Sequence, residues 1–554
     1  MTIQDKIRGS LIGGAVGDAL GYPVEFMSYA GIVHKFGERG ITRYELDRKS
    51  GKALISDDTQ MTLFTANGLL FGVTRWCTHG MLADLPSFVE YAYKEWYETQ
   101  TGVQDYNAYH TCWIRDIKEL NARRAPGNTC MSALESMMNG KKAVNDSKGC
   151  GGVMRVAPVG CFMASPQARS NSWAEHTVDK YAAECAAITH KHPLGYIPAA
   201  VLANIVYRIL IADETVSKGE LIQIVESAMT DARDVFTKEN EVKAWAELLT
   251  LMNNAIRFAQ SDVKDVDAVR QLGEGWTGDE ALAIAVYCAL KHTDSFVDAV
   301  IAAVNHSGDS DSTGAVCGNI MGAIVGYEAI SGHFKEDLEL RQVILALADD
   351  MVHGCKISEY DSEYDNDGKK WEQRYVFAKP MLKPTYNSYA VNDWLYAGEY
   401  PGDKDVRKAQ EKLDEFIAFG ITHFIDLTEE GELCPYAQLL PSDSVCHRRF
   451  PIIDQSVPDS IEEVRKLIDE IKQIHDENPE AKVYIHCWGG VGRTGTIVGC
   501  FLASELKADY ETTIRELKRL WSDCPKSERR ISPENNMQFD FIRRYVNQLK
   551  KVLL

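Results

Sequence analysis

Apolar residues recur at three- and four-residue spacing from Ile7 to about Ile330, in segments such as ECAAITH, PAAVLANIVYRILIA, KAWAELLTLMNNAIRFA and DEALAIAVYCALKH. That period marks helices burying one face, and strand-like alternation is rare here. Many segments are alanine-rich, which lets neighbouring helices approach closely, so an all-α domain is expected. No fixed-period internal repeat is visible. After LRQVILALADDMVHGC the pattern breaks. SEYDSEYDNDGKKWEQRYV is polar, acidic and aromatic, and AKPMLKPTYNSYAVND carries two prolines. Such composition marks a boundary, placed near residue 380, with the polar stretch closing the first domain. Domains are therefore expected at 1–380 and 381–554. In the second, short alternating runs (DWLYAG, HFIDLT, HRRFPI and KVYIHC) are separated by the helical stretches VRKAQEKLDEFIAFG and SIEEVRKLIDEIKQIHDE. Strand–helix alternation predicts an α/β sheet.

At 554 residues, 45% hydrophobic and 25% charged, the chain can bury a core in each of two or more domains. The net charge of −20 argues against a dedicated nucleic-acid or anionic-membrane binder, while leaving room for a local basic pocket. Fourteen cysteines are scattered without the spacing of a disulfide scaffold or a CxxC metal hook, which fits buried thiols in a reducing compartment. The apolar patch at the N-terminus is short, meets Asp18 at once and lacks the ordered regions of a signal peptide. No run is read as a membrane span, GNIMGAIVGYEAI being too short and glycine-rich. A soluble, cytoplasmic protein is expected.

The chemistry concentrates where glycines and oxygen-bearing side chains interrupt the helical pattern. Asn305–Gly318, NHSGDSDSTGAVCG, places Asp309, Ser310, Asp311 and Ser312 at the mouth of a small-residue apolar helix. Ile55–Thr62, ISDDTQMT, places Ser56, Asp57 and Asp58 at the start of another. Each stretch alone reads equally as an N-cap with acidic first-turn residues. Together they supply carboxylates and hydroxyls suited to hard cations such as Mg²⁺. Consecutive glycines in Lys148–Arg155, KGCGGVMR, would let backbone N–H groups approach a phosphate, or make a plain turn. His190 and His192, in ITHKHP, read as hydrogen-bonding groups at a helix end more readily than as metal ligands.

GDALG with Glu25 after it, SDDTQMT, GCGGVMR, ITHKHP, GEGWTGDEALAIAVYCAL and GDSDSTGA occur in an order that resembles the ADP-ribosylglycohydrolases, the dinitrogenase-reductase-activating type above all, across residues 1 to about 357. The resemblance implies an all-α domain with two Mg²⁺ ions, or Mn²⁺, at the mouth of an ADP-ribose cleft. It implies Ser56, Asp57 and Asp58 as ligands from one side and Asp309, Asp311 and Ser312 from the other, with Asp311 bridging. It implies Glu25 as the group that positions or activates the scissile ribose and its water. Gly151, Gly152, Arg155 and His190 fall on the substrate side, and Gly275 and Trp276 at the adenosine end. Some relatives carry Asn where this chain has Cys150. Cleavage at ribose C1″ builds positive charge on the sugar, which cations holding the hydroxyls and a carboxylate orienting water would serve.

In the second domain, His486–Gly495, HCWGGVGRTG, follows the strand-like KVYI and precedes the apolar TIVGCFLASELK. A strand, a loop with three glycines between Cys487 and Arg493, and a helix N-terminus form an anion cradle. The same field favours a nucleophilic thiolate at Cys487, and Arg493 can fork two phosphate oxygens. The motif and its surroundings resemble the dual-specificity and tyrosine phosphatase-like cysteine phosphatases. The resemblance implies Asp454, 33 residues before Cys487, as general acid. It also implies Thr494 as hydrogen-bond partner of the departing thiolate and Gln538 as the residue orienting the hydrolytic water. The whole reads as a bifunctional hydrolase acting on an ADP-ribosylated protein or small molecule and on a phosphorylated substrate. The alternative is a regulatory protein that binds ADP-ribose or phosphate with one domain inactive. No membrane partner and no nucleic-acid surface are expected.

Overall fold

The computed structural model describes residues 1–79, 84–102, 110–171, 178–355, 371, 374–376, 378, 383–385, 387–441 and 444–552. They divide into two compact units, one running to Cys355 and including Trp371 and Arg374–Val376, the other from Lys383 onward.

The first unit is helical. Six of its helices position the site: α1 (Ile3–Gly21), α2 (Asp57–His79), α3 (Pro193–Ile211), α4 (Gly278–Lys291), α5 (Ser310–Val325) and α6 (Arg341–His353). α1 starts where the Thr2 hydroxyl accepts the Asp5 N–H at 3.1 Å. It is buried on almost every side, and its glycines recur every fourth residue, at 9, 13, 17 and 21. α5 answers antiparallel with Gly314, Gly318 and Gly322. The two backbones are nearly in contact, since a Cβ on Gly13 would lie 2.3 Å from the Gly318 carbonyl oxygen, and one on Gly21 2.3 Å from that of Ser310. Only residues without a side chain permit this approach. Reciprocal bonds, Ser10 Oγ to Asn319 O (3.0 Å) and Asn319 Nδ2 to Ser10 O (2.9 Å), fix the register. The end of α1 is thereby held against the start of α5.

α3 corrects one expectation. It is a 19-residue helix long and apolar enough to cross a membrane, and it is buried almost throughout as a core element of this unit. The polar stretch after α6 contributes to the same core. Trp371 Nε1 donates to Thr74 Oγ1 at 2.7 Å, while Arg374 (2.7 and 2.6 Å) and Tyr375 (2.7 Å) donate to Asp350 of α6.

The second unit is a five-stranded sheet of order β1-β2-β5-β3-β4, from β1 (Ser388–Ala390), β2 (Leu395–Gly398), β3 (Ile421–Asp426), β4 (Cys446–Arg449) and β5 (Lys482–His486). β1 is antiparallel and the other neighbours are parallel, with Leu395 opposite Val483 and Phe424 opposite Tyr484. β2 to β5 overlap the four alternating runs of the sequence, β3 starting two residues before HFIDLT and β4 one before HRRFPI. β1 lies in the Pro-containing stretch, too short to show a period. On one face of the sheet, Leu413, Phe416 and Ile417 of α7 (Val406–Ala418) pack on Phe424 and Tyr484. On the other, α8 (Ile461–Glu477), α9 (Gly492–Leu506), α10 (Tyr510–Trp521) and α11 (Asn536–Val552) enclose Ile425, Val483 and Ile485. Strands buried on both faces read as apolar runs, as β5 does up to the buried Cys487.

Candidate active sites

In the helical unit, the turn Tyr22–Val24 after α1 delivers Glu25 toward the start of α5. The fully buried Asp18, in the last turn of α1, accepts the backbone N–H groups of Ser56 (3.0 and 3.1 Å) and Thr59 (3.0 Å) and the Thr59 hydroxyl. It thus ties the start of α2 to the end of α1, a positioning role that the sequence motif GDALG did not reveal. Burial pushes Asp18 up to about 6, against the pull of those hydrogen bonds. The helix-cap readings hold literally. Ser56 Oγ accepts the Asp58 N–H at 3.2 Å, and Asp309 Oδ1 caps α5 by accepting the Ser312 N–H at 3.2 Å.

The caps also bring five acids together. Asp58 accepts a hydrogen bond from Ser312, and Glu25 shares one with Asp311, which two carboxyls can do only when one is protonated. Asp57 Oδ2 accepts the Gly127 N–H at 3.1 Å. Burial, reinforced by Asp309, Asp57 and Asp18, raises Glu25 to about 8. Burial, reinforced by Asp18 and Asp309, raises Asp57 to about 8. Burial also drives Asp58 and Asp311 well above the carboxylate range, with Asp57 the next cause for Asp58 and Asp58 the next for Asp311. Among the described residues, Glu25 Oε2 and Asp58 Oδ2 are buried without a hydrogen-bond partner. Buried like charges of this kind need protons or a cation. Among the described residues, no three His, Cys, Asp or Glu side chains converge as a ready-made cage. The donor chemistry, carboxylates and hydroxyls from two helix starts with orphaned oxygens between them, nevertheless fits a hard divalent cation.

Around the acids, Cys150 lies where its thiol donates to Asp309 Oδ2 at 2.7 Å. Its backbone N–H donates to Trp276 O (3.1 Å), joining the two loops. Gly275, with φ +84°, lets its loop pass over Thr313 and Asp309. Trp276 is 38% exposed and stacks on Phe26, 75% exposed, with centroids 5.8 Å apart. Phe26, next to Glu25, was not singled out in the sequence. Cys150–Arg155 is a 3₁₀ turn whose glycines serve packing, since a Cβ on Gly152 would meet Gly195 O at 2.2 Å and one on Gly151 would meet His190 Cε1 at 2.8 Å. His190 is buried behind that turn, bonded to Thr189 Oγ1 (2.9 Å) and held down to about 3 by burial and by Arg155. Arg155 is not brought to the acids. Its guanidinium donates to Thr189 Oγ1 at 2.7 Å, contacts the Cys185 and Ala186 carbonyls and lies 4.2 Å from the Tyr93 ring. A cation this fully enclosed braces the glycine turn from within.

In the sheet unit, Cys487 follows β5, and the loop Trp488–Val491 leads into the N-terminus of α9. The loop's carbonyls are turned outward: Trp488 O accepts Tyr400 N–H (3.0 Å), Gly489 O accepts Lys526 Nζ (2.9 Å) and Val491 O accepts Ser532 Oγ (2.7 Å). In a planar trans peptide the following N–H points the opposite way, so those of Gly489, Gly490 and Gly492 face the cradle. Gly490 has φ +73° and lies against the Gly398 backbone, so the turn requires glycine. Thr494 Oγ1 is buried without a hydrogen-bond partner among the described residues.

Arg493 is buried and gripped by a residue the sequence motif did not disclose. Glu432 accepts its two terminal nitrogens at 2.8 and 2.7 Å, a fork that holds the guanidinium planar and oriented. Arg493 keeps Glu432 below the usual glutamate range. Asp454, 48% exposed, reaches the same guanidinium at 2.9 Å, and Ile452 O accepts from it at 3.0 Å. Gln538 is fully buried, donating to Ser456 O (3.1 Å) and accepting from Glu534 N–H (3.1 Å). It fastens the Asp454 loop, and both ends of its amide are engaged. Beneath the cradle, His486 Nε2 lies 2.6 Å from Tyr436 OH, and burial lowers His486 to about 4.

Residues 1–360 match the ADP-ribosylglycohydrolase family, and the chain belongs to it. Residues 393–530 match the phosphatase domain described as Swiss Army Knife protein, DSP-PTPase. The chain is thus a two-domain enzyme, an ADP-ribosylglycohydrolase followed by a dual-specificity-type phosphatase. An uncharacterized protein of Archaeoglobus fulgidus is 28% identical over 355 residues, 62% of this chain and 95% of its own length. ADP-ribosylhydrolase ARH3 of Bos taurus is 26% identical over 220 residues, 37% of this chain and 56% of its own. The structure of Tk-PTP in the active form is 21% identical, covers 29% of this chain and 97% of its own, and gives a TM-score of 0.25.

Proposed function

We propose that the helical unit hydrolyses the glycosidic bond at ribose C1″ of an ADP-ribosyl group attached to a protein or small-molecule acceptor, with two divalent cations, Mg²⁺ or Mn²⁺. The observation that carries this reading is the buried cluster of Glu25, Asp57, Asp58, Asp309 and Asp311, with unpartnered oxygens on Glu25 and Asp58. Ser56, Asp57 and Asp58 from α2, with Asp309, Asp311 and Ser312 from α5, are the residues that would hold the cations. Held there, such ions would supply positive charge for fixing ribose hydroxyls and acidifying a water. Glu25 would orient the water that attacks C1″ and take up its proton. Asp18 holds α2 in place, and the Trp276–Phe26 face offers a planar surface beside the acids. The test is a panel of ADP-ribosylated substrates, with and without Mg²⁺, on wild type and Asp311→Ala. Release of ADP-ribose that ignores both the metal and the substitution overturns the reading.

The sheet unit hydrolyses phosphomonoesters. Cys487 attacks phosphorus, its S–P bond forms as the ester P–O bond breaks, and Asp454 delivers a proton to the leaving oxygen. The loop N–H groups and Arg493 hold the phosphoryl oxygens. Water then cleaves the phosphocysteine, and the Thr494 hydroxyl donates to the departing sulfur. The unpartnered Thr494 Oγ1 and the outward-turned carbonyls support this assignment. Phenyl phosphate turnover that survives Cys487→Ser overturns it.

A further inference from the structure

At the far end of α2 from the acids, Cys77 meets Cys355, the residue that follows Gly354 after α6. Their thiols are hydrogen-bonded to each other. The meeting is built. The Gln167 amide donates to Cys77 Sγ at 3.6 Å and its oxygen accepts the Cys355 N–H at 2.8 Å, so one side chain bridges both cysteines. Gly354, with φ +68°, turns the chain off α6 toward them and packs on Gln167. Both cysteines are half-buried, so small oxidants reach them, whereas Cys112, Cys130, Cys161, Cys185, Cys288 and Cys317 of the same unit are sealed in the core. One turn before Cys77, Thr74 receives Trp371, so this end of α2 is where the segment closing the unit is anchored.

We propose that Cys77 and Cys355 are a modification site, a dithiol that a hydroperoxide converts to a disulfide, securing the closing segment to α2. In the step, the Cys77 thiolate attacks one peroxide oxygen. The O–O bond breaks, and the departing hydroxide takes a proton to become water. Cys355 then attacks the resulting sulfenic sulfur, the S–S bond forms, and a second water leaves. Two thiols and one hydrogen peroxide give one disulfide and two waters. Cys77 is the attacking sulfur because the hydrogen bond from Cys355 lowers its thiol below the usual range, burial opposing and Gln167 assisting.

The test exposes the full chain to hydrogen peroxide, caps remaining thiols with iodoacetamide, digests without reductant and identifies linked peptides by mass spectrometry. The exposed Cys434 and Cys446 report that oxidant was sufficient. The expected result is a Cys77–Cys355 peptide pair, absent from Cys77→Ser and Cys355→Ser and formed at least about tenfold faster in the folded chain than in urea, where closing so long a loop is improbable. The oxidised protein also melts higher than the reduced one, and this shift vanishes in either variant. Capping of both residues while Cys434 and Cys446 are oxidised overturns the proposal, as does equal cross-linking in urea.

Discussion

Replacing Gly17 with alanine tests the idea that backbone contact between α1 and α5 assembles the acid cluster. The added Cβ would sit 1.9 Å from Gly314 O and 2.2 Å from Gly314 C. Ordinary contact needs about 3.5 Å, so the helices must part by roughly 1.5 Å or the chain must bend. Two effects oppose each other. Alanine gains about 1 kcal/mol in helix propensity over glycine. Overpacking costs about 1–3 kcal/mol, and a clash with backbone, which has no rotamer to change, belongs at the top of that range. The clash wins by about 2 kcal/mol, worth roughly 2–4 °C in melting temperature for a unit this large. Gly9→Ala places its Cβ 2.2 Å from Gly322 O and costs about the same, yet lies at the end of α1 remote from Glu25. A misplacement of about 1 Å at a reacting centre can cost on the order of 100-fold. Gly17→Ala is therefore expected to lose about 100-fold in ADP-ribose release while Gly9→Ala keeps most of it, and both lower the melting of the helical unit. Calorimetry of the whole chain separates the transitions of the two units, and that of the sheet unit should not move. A Gly17→Ala protein that melts at or above the wild-type temperature with full activity would refute the reasoning.

Cation removal should be visible without turnover. Because Glu25 and Asp57 are raised to about 8 from 4.5 and 3.8, the folded chain holds more protons than the unfolded one between those limits. Stability without metal is therefore full below about pH 4 and falls as pH rises toward 8. Mg²⁺ should restore the melting temperature most at the alkaline end, and a difference independent of pH would contradict the charge argument. Glu432→Gln removes the charged half of the Arg493 fork and is expected to lower kcat/KM for phenyl phosphate about tenfold. A lower KM instead would mean that Glu432 competes with phosphate rather than orienting Arg493. Asp454→Asn should reduce kcat by about 10²–10⁴ and flatten the alkaline limb of the pH–rate profile, with leaving groups of low pKa least affected.

Much of the molecule was legible in the chain. The four strand runs and the amphipathic helices declare themselves because burying one face imposes a period that survives in any context. The cysteine–glycine–arginine loop is legible because its residues are contiguous and only glycine serves its backbone. The five acids were each visible, though SDDT and GDSDST could equally have been caps, and in the structure Ser56 and Asp309 are caps as well as members of the cluster.

What escaped the chain is whatever depends on partners remote in sequence. Nothing along the chain marks Glu432, and the fold sets it on Arg493, 61 residues away. Arg155, which the resemblance puts on the substrate side, is enclosed by the packing of Tyr93 and Thr189. Span-length Pro193–Ile211 is a core helix because other helices cover it. Helical period, strand alternation and the chemistry of contiguous motifs are local, and the sequence by itself determined them. Which charge meets which, and that two glycine ladders about 300 residues apart bring Glu25 to Asp311, was decided by tertiary packing. Electrostatics and close contact act through space, and order along the chain does not encode distance.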